Sequence, residues 1–135
     1  MLKRVAVVLA AVGLGLGYVG VILHSERNMT LKADLFRAKA DLTGIANAVR
    51  LFHDGNGRYP RDLEELTRSP AGKDELWRID VPTDPWGGAY QYRVQAGPTG
   101  DSYKVWVVPD DEVRAAIGTA ELSNKTDWRA VGIGR

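Results

Sequence analysis

The sequence predicts an α+β fold in which a long N-terminal helix packs against a small antiparallel β-sheet. Two patterns carry this prediction. Apolar residues recur with helical spacing in the first part of the chain, and two later segments alternate apolar and polar residues across a turn rich in glycine and proline. The helix is predicted from about residue 4 to about residue 53.

Length and composition limit the class of protein. The 135 residues are enough for one modest domain. The chain has 18 basic and 17 acidic residues and a formal net charge of +1, which does not indicate a nucleic-acid surface. It has no cysteine, which excludes a disulfide framework, a thiolate metal site and a lipoprotein anchor.

Residues 5–23 contain no charged side chain. As a helix they would be about 28 Å long, close to the thickness of the hydrocarbon core of a bilayer. Lys3 and Arg4 precede them, so the positive-inside rule places the N-terminus in the cytoplasm. We predict a single-pass anchor at residues 1–27 and a globular domain at residues 28–135 that includes the amphipathic half of the helix. The alternative is a cleaved secretory signal, whose apolar core is usually shorter.

Two glycines within the apolar segment indicate a packing face. Gly13 and Gly17 are four residues apart, so they share one side of a helix and let another helix approach closely in lipid. We predict an assembly interface at these positions. The alternative is that glycine is simply common in membrane helices.

The helix continues into water with one apolar stripe. Its members alternate in steps of four and three: Leu31, Leu35, Ala38, Leu42, Ile45, Val49 and Phe52. Residues 54–57 (Asp-Gly-Asn-Gly) tolerate positive φ and predict the end of the helix. They fail as a calcium loop, because Arg58 and Tyr59 stand where an oxygen ligand and a glycine are required. Tyr59 is predicted to be a packing residue.

The rest of the chain predicts short elements. Residues 62–66 form a short helix with acids near its N-terminus, and residues 69–74 form a polar loop. Residues 81–88 are rich in turn signals, and residues 89–94 and 103–108 form an antiparallel hairpin. Trp128 closes the domain, and residues 131–135 form a loose tail.

No group of residues predicts catalysis. His24 and His53 lie far apart in the sequence, no cysteine is present, and no serine lies in a nucleophile-elbow motif. We therefore predict that the chain is not an enzyme. The aromatic residues are predicted to build the core and its rim, and a sugar- or peptide-binding platform is the alternative.

Two motifs carry a family resemblance. The first is Asn-Gly-Arg-Tyr-Pro, which contains Tyr59 and Pro60, and the second is Asp84-Pro85-Trp86-Gly87, with Tyr90 following. In this order after a long N-terminal helix, they resemble the type IV pilin-like proteins, and more closely the major pseudopilins of type II secretion. The resemblance covers about residues 32–128 and implies a pilin-like fold.

The resemblance also implies a location and partners. Such proteins are inner-membrane proteins with a periplasmic head. They assemble through the N-terminal helix with other pilin-like or pseudopilin subunits and with the secretion machinery, as homo- or hetero-oligomers. No nucleic-acid partner is implied. The alternative is a membrane-tethered binding module with a pilin-like head that does not polymerise.

The N-terminus departs from the family pattern. The family has a leader that ends in glycine and an early glutamate, and an ungapped count back from Tyr59 places that glutamate at about Val7. We therefore expect that prepilin peptidase does not process this chain. His24 stands at about the position of the family's usual proline.

The resemblance further implies calcium in the C-terminal loop. Calcium takes several oxygen ligands, and Asp110, Asp111 and Glu121, with backbone carbonyls, are the candidates. Residues 113–117 replace the family's glycine-rich stretch. The alternative is an acidic surface loop without a metal, and the sequence leaves both open.

Overall fold

The apolar stripe forms one face of a helix, α1, that extends over Leu2–Asn56. The structure, a computed structural model, describes residues 2–68 and 78–133, and for residues 2–25 it describes the backbone alone. The predicted polar loop at residues 69–74 lies outside the described residues. The chain divides into two compact units, Met1–Ala33 and Asp34–Arg135.

Within the second unit, α1 buries the predicted stripe. The buried members are Leu35, Ala38, Leu42, Ile45, Val49 and Phe52, and Ala48 joins them. Leu31, in the first unit, is half-buried. The spacing of these residues places them on one side of the helix, which confirms the amphipathic prediction for this part of the chain.

The end of α1 is closed by its own glycine turn. The side-chain Nδ2 of Asn56 donates to the carbonyl of Phe52 at 2.9 Å, and the amide of Gly57 donates to the carbonyl of His53 at 2.8 Å. Gly57 has φ +69°, a conformation that favours glycine. Carbonyls in the last turn therefore have donors, and the helix ends near the predicted position.

Three antiparallel strands form the sheet, in the order β1–β2–β3. They comprise Gln91–Gln95, Ser102–Val107 and Leu122–Ser123. Gln91 lies opposite Trp106 in the β1–β2 pair, and Val107 lies opposite Leu122 in the β2–β3 pair. The predicted hairpin is confirmed, with strand ends shifted by one or two residues.

The sheet lies against the second-unit part of α1. Val105 and Val107 of β2 are buried, and the hydroxyl of Tyr103 donates to the helix carbonyl of Ala46 at 3.0 Å. Leu66, Val113, Leu122 and Ile133 are buried as well. A long helix with a small antiparallel sheet is therefore the observed architecture, and the α+β prediction is confirmed.

Two elements after the hairpin were not predicted from the sequence. They are α2, at Asp111–Ile117, and β3. The short helix predicted at residues 62–66 is a 3₁₀ helix at Leu63–Leu66. Its N-cap is Asp62, whose Oδ1 accepts from the amide of Glu65 at 3.0 Å.

The prediction of a loose C-terminal tail is wrong for residues 131–133. The side chain of Ile133 is 2% exposed, and its amide donates to the carbonyl of Trp128 at 2.8 Å. Gly132 has φ +82° and donates to the carbonyl of Arg129 at 3.1 Å. The glycine turn thus returns the chain so that Ile133 reaches the core.

Within the part of the chain that the structure describes, no helix is long and apolar enough to cross a membrane. The anchor predicted at residues 1–27 depends on side chains that lie outside the described part. The anchor, and the division of the chain at residue 27, therefore stay predictions.

Candidate functional site

The Asn-Gly-Arg-Tyr-Pro turn is held by one arginine. The two terminal nitrogens of Arg58 donate to the two carboxylate oxygens of Glu65, each at 3.0 Å. Arg58 Nη1 also donates to the carbonyl of Tyr59 at 3.1 Å, and the guanidinium lies 5.1 Å from the centre of the Phe52 ring. Such a two-pronged arginine–carboxylate pair fixes direction as well as distance. It ties the turn to the 3₁₀ helix and holds the pKa of Glu65 below its usual value.

Tyr59 and Pro60 lie in an aromatic cluster at the end of α1. The Tyr59 ring lies 4.3 Å from the His53 ring and 5.3 Å from the Tyr103 ring, between their centres. Pro60 is buried, and its carbonyl accepts from the hydroxyl of Tyr92 at 2.9 Å. Burial raises the pKa of Tyr92. The prediction that Tyr59 is a packing residue agrees with these contacts.

The Asp84-Pro85-Trp86-Gly87 loop is organised by one buried carboxylate. Asp84 is 5% exposed, and its Oδ1 accepts from the amides of Trp86 at 2.7 Å and Gly88 at 3.0 Å. The Asp84 carbonyl accepts from the amide of Gly87, which has φ +86°. Pro85 and Trp86 are half-buried. The aspartate therefore folds the loop around its own side chain, as aspartates in turns do.

Charged residues on α1 attach this loop to the helix. The Nη2 of Arg37 donates to the carbonyl of Thr83 at 3.0 Å, and its Nε lies 3.8 Å from Asp41 Oδ2. The same Asp41 oxygen accepts from the hydroxyl of Tyr90 at 2.8 Å. Burial, together with this bond to a carboxylate, raises the pKa of Tyr90.

The two motifs are therefore connected through α1. The turn is held at the end of the helix, and the loop is held about four to five helical turns earlier by Arg37 and Asp41. Neither Arg37 nor Asp41 was among the candidate site residues predicted from the sequence. Their one sequence signal is the four-residue spacing of opposite charges, which is also common on solvated helices.

The three candidate calcium ligands each have another partner. Asp110 is the N-cap of α2, and its Oδ1 accepts from the amide of Val113 at 2.8 Å. Asp111 pairs with Arg114, and Glu121 pairs with Lys104.

In the described ranges, no group of three or more acidic, histidine or cysteine side chains is arranged to hold a metal ion. The placement of these residues does not fit a calcium site. This misfit concerns the placement of the side chains, and calcium binding itself stays a prediction.

Gly13 and Gly17 belong to α1, in the part whose backbone alone is described. The predicted assembly interface at these glycines therefore stays a prediction.

The fold and the two connected motifs define a class of protein. A family model described as "Type II secretion system (T2SS), protein G" matches residues 27–125. The match covers more than half of the chain, and the chain belongs to this family. The matched region contains both motifs and the three candidate calcium ligands, Asp110, Asp111 and Glu121. The family resemblance inferred from the motifs is confirmed.

One curated relative is "Type II secretion system core protein G" of Pseudomonas aeruginosa. This chain is 37% identical to it over 65 residues, which cover 41% of the chain and 46% of the relative. The match thus spans about half the length of that relative.

Proposed function

We propose that this chain is a structural pseudopilin subunit of a type II secretion system or a related filament system. The observation that carries the proposal is the family match over residues 27–125. Its supporting geometry is that both family motifs contact one helix: the loop through Arg37 and Asp41, and the turn through the rings of Phe52 and His53. A structural role in the family also supports the expectation that the chain is not an enzyme.

We infer that the chain is anchored in the inner membrane by a single helix, with its head in the periplasm. Residues 5–23 carry no charge, and Lys3 and Arg4 precede them. This charge distribution supports an N-terminus in the cytoplasm and a head on the opposite side.

Assembly is proposed to use α1, with other pseudopilin subunits and the secretion machinery as partners. Gly13 and Gly17 supply the spacing for close helix packing. Farther along the helix, the ring of Phe36 is 56% exposed, on the side opposite the buried stripe. An exposed aromatic ring on this side supports contact with a neighbouring subunit.

The second candidate is a membrane-tethered binding module that does not polymerise. One observation favours it: Val7 stands near the place of the early glutamate in the family resemblance. Neighbouring genes for the ATPase and platform proteins of a pilin system would favour the first candidate.

The test is secretion in the chain's own host. Deletion of the gene should abolish release of type II substrates, and the wild-type gene should restore it. Phe36→Asp should not restore release, because it places a charge on the proposed contact side. Gln95→Asp, at an exposed position at the end of β1, is the matched control and should restore release. Normal secretion by the deletion strain would contradict the proposal.

A further inference from the structure

A lysine forms an ion pair with Glu121, one of the three carboxylates predicted to bind calcium. Lys104 extends from β2 and its Nζ pairs with Oε1 of Glu121, just before β3. The same Nζ lies 5.3 Å from the centre of the Trp106 ring, two residues along the strand and therefore on the same face. The ammonium is thus held by a carboxylate and an aromatic ring together.

Two backbone carbonyls near Glu121 also accept hydrogen bonds from the chain itself. The carbonyl of Glu121 accepts from the hydroxyl of Thr119 at 3.2 Å, and that of Ser123 accepts from the amide of Thr126 at 3.1 Å. Asn124 exchanges two bonds with Val105: its Oδ1 accepts from the Val105 amide at 3.1 Å, and its amide donates to the Val105 carbonyl at 3.0 Å. Asn124 thereby continues the pairing to β2 beyond the end of β3.

The stretch before Glu121 is a capped helix. Asp110 closes the N-terminus of α2, and Gly118, with φ +70°, closes its C-terminus by donating to the carbonyl of Arg114 at 3.0 Å. Asp111, the first residue of α2, pairs with Arg114 one turn later. Both helix ends are satisfied by groups of the chain, as stable short helices require.

Calcium requires six to eight oxygen ligands at once. Here the three carboxylates point to three different partners: an amide, a guanidinium and an ammonium. We propose that Lys104 takes the place of a calcium ion in this chain, so that residues 110–126 fold and keep their structure without calcium. The proposal does not rest on the assembly function, and each can fail without the other.

The test compares the full-length chain in detergent micelles with calcium and with chelator. At about 1 mM calcium, a concentration that fills weak extracytoplasmic sites, and in excess chelator, Tm should be the same. The rate at which a protease cleaves residues 110–126 should also be the same. A fall in Tm of more than about 3 °C in chelator, or faster cleavage there, would overturn the proposal.

A matched pair of lysine variants tests the role of Lys104. Lys104→Met keeps most of the aliphatic stem and removes the charge, so Tm should fall by about 2–4 °C with or without calcium. Lys125→Met removes the charge of an exposed lysine in the same segment, and its Tm should be unchanged. Equal Tm values for the two variants would overturn the proposal. The wild-type comparison needs no variant and decides the question even where Lys104→Met does not fold.

Discussion

Asp84 determines the shape of a family motif through one carboxylate oxygen. A buried carboxyl group is unfavourable unless hydrogen-bond donors surround it, and Asp84 accepts from the amides of Trp86 and Gly88. The other oxygen, Oδ2, leaves no room for a side chain at position 88. A Cβ atom added to Gly88 would lie 2.6 Å from it.

Gly88→Ala is therefore expected to destabilise the head. Moving Oδ2 away from the added Cβ rotates the carboxylate and strains its two amide bonds, so the loop must shift, at a cost of about 1–3 kcal/mol in the free energy of unfolding. Gly44→Ala is the control. Gly44 is exposed in α1 and an added Cβ meets no atom within 4 Å, so alanine should stabilise by about 0.5–1 kcal/mol. Urea unfolding measures both, and an unchanged midpoint for Gly88→Ala would contradict this account.

Tyr90 joins the sheet side of the head to α1 through a charged acceptor. Tyr90→Phe leaves Asp41 without its hydroxyl donor in a partly buried site, and should lower the free energy of unfolding by about 1.5–3 kcal/mol. Tyr92→Phe removes a bond to a neutral carbonyl, that of Pro60, and should lower it by about 0.5–1.5 kcal/mol. If chemical denaturation gives the same loss of unfolding free energy for both variants, the carboxylate of Asp41 adds nothing to the strength of the Tyr90 hydrogen bond.

For single residues, the sequence predicted some packing roles correctly, but it did not predict the contacts between residues distant in the sequence. Tyr59 was predicted to pack, and it does. The bond between Asp41 and Tyr90 joins residues 49 positions apart, and no local pattern indicates such a pairing. Asp110 was read as a candidate ligand, but an aspartate before a short helix is also a common N-cap.

The 3₁₀ helix and the preceding turn form one element through Glu65. Its Oε2 accepts from the amide of Arg61 at 2.6 Å as well as from Arg58, and its own amide donates to Asp62. The hydrogen bond from Arg58 is the main cause of the lowered pKa of Glu65. A carboxyl with a lowered pKa in the folded state stabilises that state when it is ionised.

This lowered pKa predicts a pH dependence with a definite sign. The unfolded state takes up the proton first as pH falls, so the contribution of Glu65 is complete above its unfolded pKa of about 4.3 and is lost below it. Wild type should therefore be more stable than Glu65→Gln near pH 6, and the difference should shrink toward pH 3. Thermal unfolding of both proteins across this range measures it. A difference that stays constant with pH would contradict the assigned ion pair.

Elements with long, regular patterns were predicted, and so was the short helix before Thr67, whereas α2 and β3 were not. The stripe in α1 repeats over several turns, and the strands of the hairpin alternate around a clear turn. In contrast, β3 has two residues and α2 has seven, too few for a period to show. The Gly-Ile-Gly sequence around Ile133 suggested a loose end, yet tertiary packing buries the isoleucine.

At the scale of the whole molecule, both family motifs lie in the second unit and contact the part of α1 that this unit contains. The family match extends over most of this unit. Such a head gives an assembling subunit a rigid surface, because its loops are bonded to a helix rather than to one another alone. The proposed role in a filament then depends on contacts that α1 makes with other copies.

Disulfide cross-linking in intact cells tests that dependence most directly, since the chain has no cysteine of its own. A variant with cysteines at both Gly17 and Phe36 has two reactive sites on α1, so repeated contacts between copies produce a series of multimers after oxidation. Each single-cysteine variant reaches a dimer at most and serves as control. The account predicts a ladder above the dimer for the double variant. Monomers and dimers alone, from a panel of such pairs along the helix, would contradict assembly and favour a tethered binding module.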